Sequence, residues 1–241
     1  MKKNKRKKRV SAKNKKLYII TGIIVVLLLI IILCWAFWPC TNSIPGHNNG
    51  NNNSGGYEVE KKPIIYIYPE RETNITIKVS KPENFTVTYP KYNNGWEVKA
   101  LPDGTLIDKT NRKYYALYWE GMHYGNNEIK EDGFIVKGEE VASFLEEKLE
   151  ILGLNYKEKE EFIVYWLPEL EKNKYNYIRF QTIEEINSNM ELFIEPKPDT
   201  LIRIMMEYKP LDKKIKVKQQ ELTKVERKGY TVVEWGGTKI N

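Results

Sequence analysis

Apolar and polar positions divide the chain into three regimes. Residues 17–38, from Leu17 to Trp38, run without a single charge. At about 1.5 Å per residue a helix of that length crosses the roughly 30 Å hydrocarbon core of a bilayer. Residues 39–56 follow as a linker whose stretch from Thr41 on is mostly Asn, Gly and Ser, with one aliphatic side chain, Ile44. As a flexible coil its ends lie about 20–24 Å apart, and His47 within it reads as a solvated residue. From Tyr57 the pattern becomes period two. Residues 63–69 are apolar on both faces between two prolines. Ile75, Ile77 and Val79 alternate with polar residues, as do Phe85, Val87 and Tyr89, and Trp96, Val98 and Ala100. Such runs, broken by turn chemistry at 81–84 and 102–104, predict strands of an antiparallel, sandwich-like unit. Residues 114–119 predict one more, ending at Glu120-Gly121.

The period changes again after residue 138. Val141, Phe144, Leu145, Leu149 and Leu152 recur at helical spacing, with Gly153 just beyond, which predicts a helix over 139–152. Asn155 followed by Glu158 is a capping-box pattern, predicting a second helix that runs toward Pro168. Strand-like runs return at 175–181, 191–195, 201–208, 215–217 and 231–235. The fold class expected is α+β: a β-rich subdomain over 57–137, then a two-helix plus β subdomain over 138–241, preceded by one transmembrane helix.

Charge gives the apolar run an orientation. Ten Lys or Arg and no acid lie in residues 1–16, so the other 29 bases face 32 acids, a net charge of −3. A basic cytoplasmic tail beside an uncharged far flank is the positive-inside pattern, with the C-terminal part outside the cell. The same split removes the reason to expect nucleic acid as a partner, because the basic block is fully explained as a topology signal. The run exceeds the usual signal-peptide core and no small-residue cleavage site follows it, which favours an uncleaved signal-anchor that partners the lipid bilayer through 17–38. Cys34 and Cys40 are the only cysteines, so the exported part does not depend on disulfides.

The chemistry available is sparse. Gly133 and Gly138 have P-loop spacing, but Glu139 stands where lysine is needed. Ser80, Ser143 and Ser188 lie in no nucleophile elbow. His123 is the one histidine after the linker, too few for a usual catalytic zinc site, although a weak general-base candidate. Glu120 and Glu234 each sit beside a tryptophan and a glycine, as an acid/base pair for glycoside hydrolysis requires if they face each other at about 5–10 Å. The milder expectation is an aromatic-acidic ligand patch of Trp96, Trp119, Glu120, Glu234 and Trp235, each ring placed by its neighbouring glycines at a strand end. Tyr66, Phe85, Phe144 and Trp166 read instead as core. No cofactor or metal is expected.

Several longer motifs stand out: KPIIYIYPE at 62–70, YNNGWEV at 92–98, PDGTL at 102–106, YWEG at 118–121, EFIVYWLP at 161–168 and VVEWGG at 232–237. On these, the chain resembles a widespread family of uncharacterised bacterial extracytoplasmic proteins over essentially all of 57–241. The resemblance implies one structural unit at a bacterial cell envelope, and brings no activity or catalytic residue with it. The expected function is a membrane-anchored binding or interaction module for an envelope polysaccharide or membrane protein. An envelope hydrolase using paired carboxylates is the alternative.

Overall fold

Alternation predicts the first strands correctly. The computed structural model describes residues 57–124 and 128–240, and in it Trp96–Ala100 is buried at every second position. In chain order the strands are β1 (Tyr57–Tyr68), β2 (Thr73–Val79), β3 (Phe85–Tyr89), β4 (Trp96–Ala100), β5 (Leu106–Ile107), β6 (Lys113–Tyr114), β7 (Leu117–Tyr124) and β8 (Asp132–Lys137). Two helices follow, α1 (Val141–Ile151) and α2 (Tyr156–Leu170). Then come β9 (Tyr175–Phe180), α3 (Ile183–Asn189), β10 (Leu192–Glu195), β11 (Thr200–Leu211), β12 (Lys218–Gln219) and β13 (Thr231–Lys239). The fold is mixed α+β. The expected tail, transmembrane run and linker (1–16, 17–38, 39–56) lie outside the described residues, among which no helix is long and apolar enough to cross a membrane.

The helix boundaries follow local chemistry. Asn155 Oδ1 accepts from the backbone N–H of Lys157 and Glu158, while Glu158 Oε2 accepts from Asn155 N–H at 2.9 Å, closing the capping box that opens α2. Contrary to the expected stop, α2 continues through Pro168 to Leu170. Proline removes the hydrogen bond to the carbonyl four residues back, which belongs to Val164, 69 % exposed. Water can satisfy that carbonyl, so the helix survives. The third helix, α3, was not expected. It carries its own capping box between Thr182 and Glu185.

Two sheets result, and they do not respect the division at residue 137. The larger has the order β12-β8-β9-β11-β13-β1-β7-β3, the smaller β10-β2-β4-β5-β6. β1 pairs antiparallel with both β13 and β7, so the first described strand joins the last to the middle of the chain. Both sheets thus draw strands from either side of the boundary expected between a β-rich subdomain over 57–137 and an α+β subdomain over 138–241. Residues Asn53–Asn241 cluster as a single compact body.

Each face of the larger sheet is covered. Ile64, Tyr66, Ile202, Ile204, Met206, Val233 and Trp235 pack with Leu145, Leu149, Phe162 and Trp166 of α1 and α2. The alternate residues Ile65, Ile67, Leu117, Trp119, Met205 and Val232 pack with the smaller sheet and α3. Covering on both sides explains why 63–69 reads as apolar throughout rather than alternating. Because β1 and β13 are shared by both cores, Asn53–Asn241 is expected to melt in one calorimetric transition. Two separated transitions would show that the halves unfold independently.

Candidate functional site

The three tryptophans expected at the surface are core residues. Trp96 and Trp119 are each 2 % exposed and Trp235 is 0 % exposed. Trp96 donates through Nε1 to the Pro90 carbonyl at 2.8 Å and meets the Tyr92 ring edge-on, with centroids 4.8 Å apart. Phe85 bridges Trp96 and Trp119, at 5.9 and 5.3 Å. Trp235 lies on the other face, against Phe162 at 5.2 Å. Gly95 lies in the bend before β4, as its spacing predicts, but the glycines beside Trp119 and Trp235 do not mark turns. Gly121, Gly236 and Gly237 lie inside β7 and β13, where the chain packs too closely for a side chain. A Cβ on Gly236 would come within 3.0 Å of Pro63, and one on Gly237 within 2.6 Å of the Met206 carbonyl.

Glu234 is likewise structural. Its carboxylate accepts from Trp119 Nε1 at 2.9 Å and from Arg203 Nε at 2.6 Å, and both ion-pair side chains are 0 % exposed. Arg203 also donates to Asn187 Oδ1 at 2.7 Å. The group ties β7, β11, β13 and α3 together on the face covered by the smaller sheet. A second ionic group lies along that face. Arg179 meets Asp132 at 3.0 Å, Glu185 at 2.9 Å and Glu207 at 3.4 Å, and burial pushes the Glu207 carboxyl above its ordinary range.

Glu120 points the opposite way. It follows Trp119 on β7, so the alternation of strand side chains sends it to the helix-covered face. There its hydrogen bond, after burial, raises the Tyr118 hydroxyl, and its charge also raises Tyr165 on α2. Glu120 and Glu234 thus lie on opposite faces of one sheet and cannot flank one glycosidic bond. His123 pairs through its backbone with Glu58, and its side chain lies outside the described residues. No group of three or more His, Cys, Asp or Glu able to hold a metal occurs among the described residues.

What the fold does bring together is a tyrosine-lined recess of about 620 Å³ between the β1 irregularity and α2. Pro63 has no N–H to give the ladder. The register of β1 shifts between Lys61 and Ile64, and Lys62 adopts a left-handed φ of 59°. That turn places the Lys62 ammonium 5.3 Å from the centre of the Tyr165 ring. Glu161 and Tyr165 are one helical turn apart on α2, which puts them on the same face. Tyr66 Oη donates to Glu161 Oε2 at 2.7 Å, and the Tyr66 ring lies 6.3 Å from that of Tyr115. Tyr115 is 60 % exposed, and Val164 completes the wall.

The electrostatics of the recess suit recognition. Burial and then Glu161 hold the Tyr66 hydroxyl far above its ordinary value, and the same two causes raise Tyr115. These hydroxyls therefore remain neutral donors across the physiological range. Hydroxyl donors, the ammonium groups of Lys62 and Lys157 and the carboxylates of Glu160 and Glu161 ring an aromatic wall, with no nucleophile–base pair among them.

A larger open cleft of about 760 Å³ lies at the far edge of the same sheet, between α1, β8 and the segment before β12. The Lys148 ammonium lies 5.5 Å from the Phe134 ring and 5.9 Å from that of Phe144. Its apolar wall lacks the convergent tyrosines of the recess.

Of the expected site residues whose side chains are described, only Glu120 adjoins the recess, through its effect on Tyr165. Tyr115, Glu161, Tyr165 and Lys62 were missed, although the Glu161/Tyr165 spacing on a helix already placed from sequence was a usable signal. Comparison with known proteins gives no match to a family model, a curated protein or a solved structure.

Proposed function

We propose that this chain is a single-pass, membrane-anchored binding module of the bacterial cell envelope. Residues 17–38 span the membrane as a signal-anchor, the basic tail is cytoplasmic and the folded unit is extracytoplasmic. The observation that supports a binding role is the recess itself. An exposed Tyr115 ring stands beside the part-buried Tyr66–Glu161 pair, with Lys62 over Tyr165 opposite. Flat rings stack on sugar faces, and carboxylate and ammonium groups meet hydroxyls and acidic substituents, so an envelope polysaccharide fits this surface best.

A paired-acid hydrolase is a weaker reading, since Glu120 and Glu234 are separated by the sheet. The test is calorimetric titration of the protein with soluble peptidoglycan fragments. Tyr115→Ala removes an exposed ring and is expected to weaken binding by about 1–3 kcal/mol while leaving the melting temperature unchanged. Unaltered affinity in Tyr115→Ala would move the binding surface elsewhere. Binding of no glycan would leave a membrane protein as the partner to pursue.

A further inference from the structure

Strand register gathers lysines at one end of the larger sheet. The pairings Lys61↔Gly237, Lys239↔Tyr208, Leu211↔Tyr175 and Lys137↔Tyr175 place the start of β1 and β9 level with the ends of β13, β11 and β8. At about 4.8 Å between neighbouring strands this rim is roughly 20 Å wide. Lys61, Lys174, Lys213, Lys214 and Lys239 are exposed along or just beyond it. None of the five forms an ion pair within 4.0 Å among the described residues, whereas Lys137 and Lys172 there are paired with Glu140 and Glu169 at 2.9 Å each. Glu60, which is buried, Glu139, Glu171 and Asp212 are the other acids of this rim whose side chains are described, and Lys61 and Lys239 act on Glu169 only through space, so the seven lysines outnumber the acids. On the adjacent strand pair, Val59 and Met122 lie in register, 39 % and 42 % exposed.

The position of this rim gives it a partner. Tyr57, the first described residue, begins β1 at the same end, so the chain that precedes the sheet joins it there. Sixteen residues, 41–56, separate that point from the apolar run, and a chain of their Asn/Gly-rich composition is expected to reach about 20–24 Å. We infer that the lysine-rich end of the sheet docks on the outer surface of the bilayer by binding anionic phospholipid headgroups, with Val59 and Met122 meeting the interfacial zone. Unpaired ammonium groups near a negatively charged surface attract it within a Debye length, and apolar side chains among them add burial. This inference rests on the proposal that 17–38 spans the bilayer.

The test uses the full chain in nanodiscs, one chain per disc, made of phosphatidylcholine with or without phosphatidylglycerol. Co-elution with the discs reads the anchor. Acetylation of lysines by a water-soluble reagent, followed by mass spectrometry, reads docking. Lys228, just before β13 at the opposite strand ends, serves as the reference. Expected is acetylation of Lys61, Lys174, Lys213, Lys214 and Lys239 about fivefold slower in the anionic discs, with Lys228 unchanged. Salt near 1 M, where the Debye length is about 3 Å, should abolish the protection. The variant K174E/K213E/K239E should lose it at Lys61 and Lys214. Equal reactivity in both discs with the chain retained overturns docking and leaves the anchor standing. Failure to co-elute overturns the anchor and docking with it. Protection that appears in both lipids only when two chains share a disc assigns the face to a second copy and overturns the lipid assignment.

Discussion

Arg203→Met is expected to destabilise the folded unit by about 3–5 kcal/mol, because it strands the Glu234 carboxylate in a fully buried site. Both side chains are 0 % exposed and their contact is 2.6 Å, so no solvent can take over from the lost guanidinium. The same substitution deprives Asn187 of its donor and loosens α3 from the sheet. The double variant Arg203→Met/Glu234→Gln should recover much of the loss. It removes the buried charge while the amide oxygen remains an acceptor for Trp119 Nε1, whose burial without a partner would itself cost about 1–3 kcal/mol. Urea unfolding at neutral pH measures both, with an unchanged slope as the sign that only stability has moved. A loss below about 1 kcal/mol in Arg203→Met would mean that the carboxylate finds water or another partner, and that the pair does not clamp the two layers.

The contrast between Glu234 and Glu120 shows what sequence carries and where it stops. Alternation along β2 and β4 is a local property, and it survives into the fold as alternating burial. Helix caps are local too, and Asn155 and Glu158 make the bonds their spacing predicts. The pairing of β1 with β13 is not local, and nothing near Ile65 announces Glu234 as its neighbour. Without that pairing the chain reads as a β-rich half followed by a mixed half. With it, the glycines of β13 become spacers for close strand contact, and the tryptophans beside them turn inward. The candidate patch failed for that reason: Trp119 and Trp235 were placed by turns that do not exist. The expected core was sounder, with Tyr66 and Trp166 buried at 4 % and 1 % exposure and Phe85 and Phe144 packed against it. The recess depended on a break in β1 register, a tertiary event, although its α2 face was readable from the spacing of Glu161 and Tyr165.

Raising the pH above about 10 is expected to unfold the protein with tyrosine ionisation and unfolding coincident. Burial is the first cause of the upward shift at Tyr66, Tyr68, Tyr118, Tyr177, Tyr208 and Tyr230. For Tyr177 and Tyr208 it carries the hydroxyl up to about 12. At Tyr66 and Tyr118 the neighbouring Glu161 and Glu120 add to it. In the unfolded chain the same hydroxyls ionise near pH 10. The folded state then holds more protons than the unfolded state above pH 10, so stability must fall as pH rises. The contribution of these groups is fully present below about pH 10 and is lost progressively through pH 12, with several tyrosines acting in the same direction. Absorbance at the phenolate band and far-ultraviolet circular dichroism, followed together across pH 9–12.5, check this. The buried tyrosines should ionise only as ellipticity collapses. Their titration near pH 10 in a chain that keeps its ellipticity would show that water reaches these hydroxyls, the Tyr66–Glu161 pair at the foot of the recess among them.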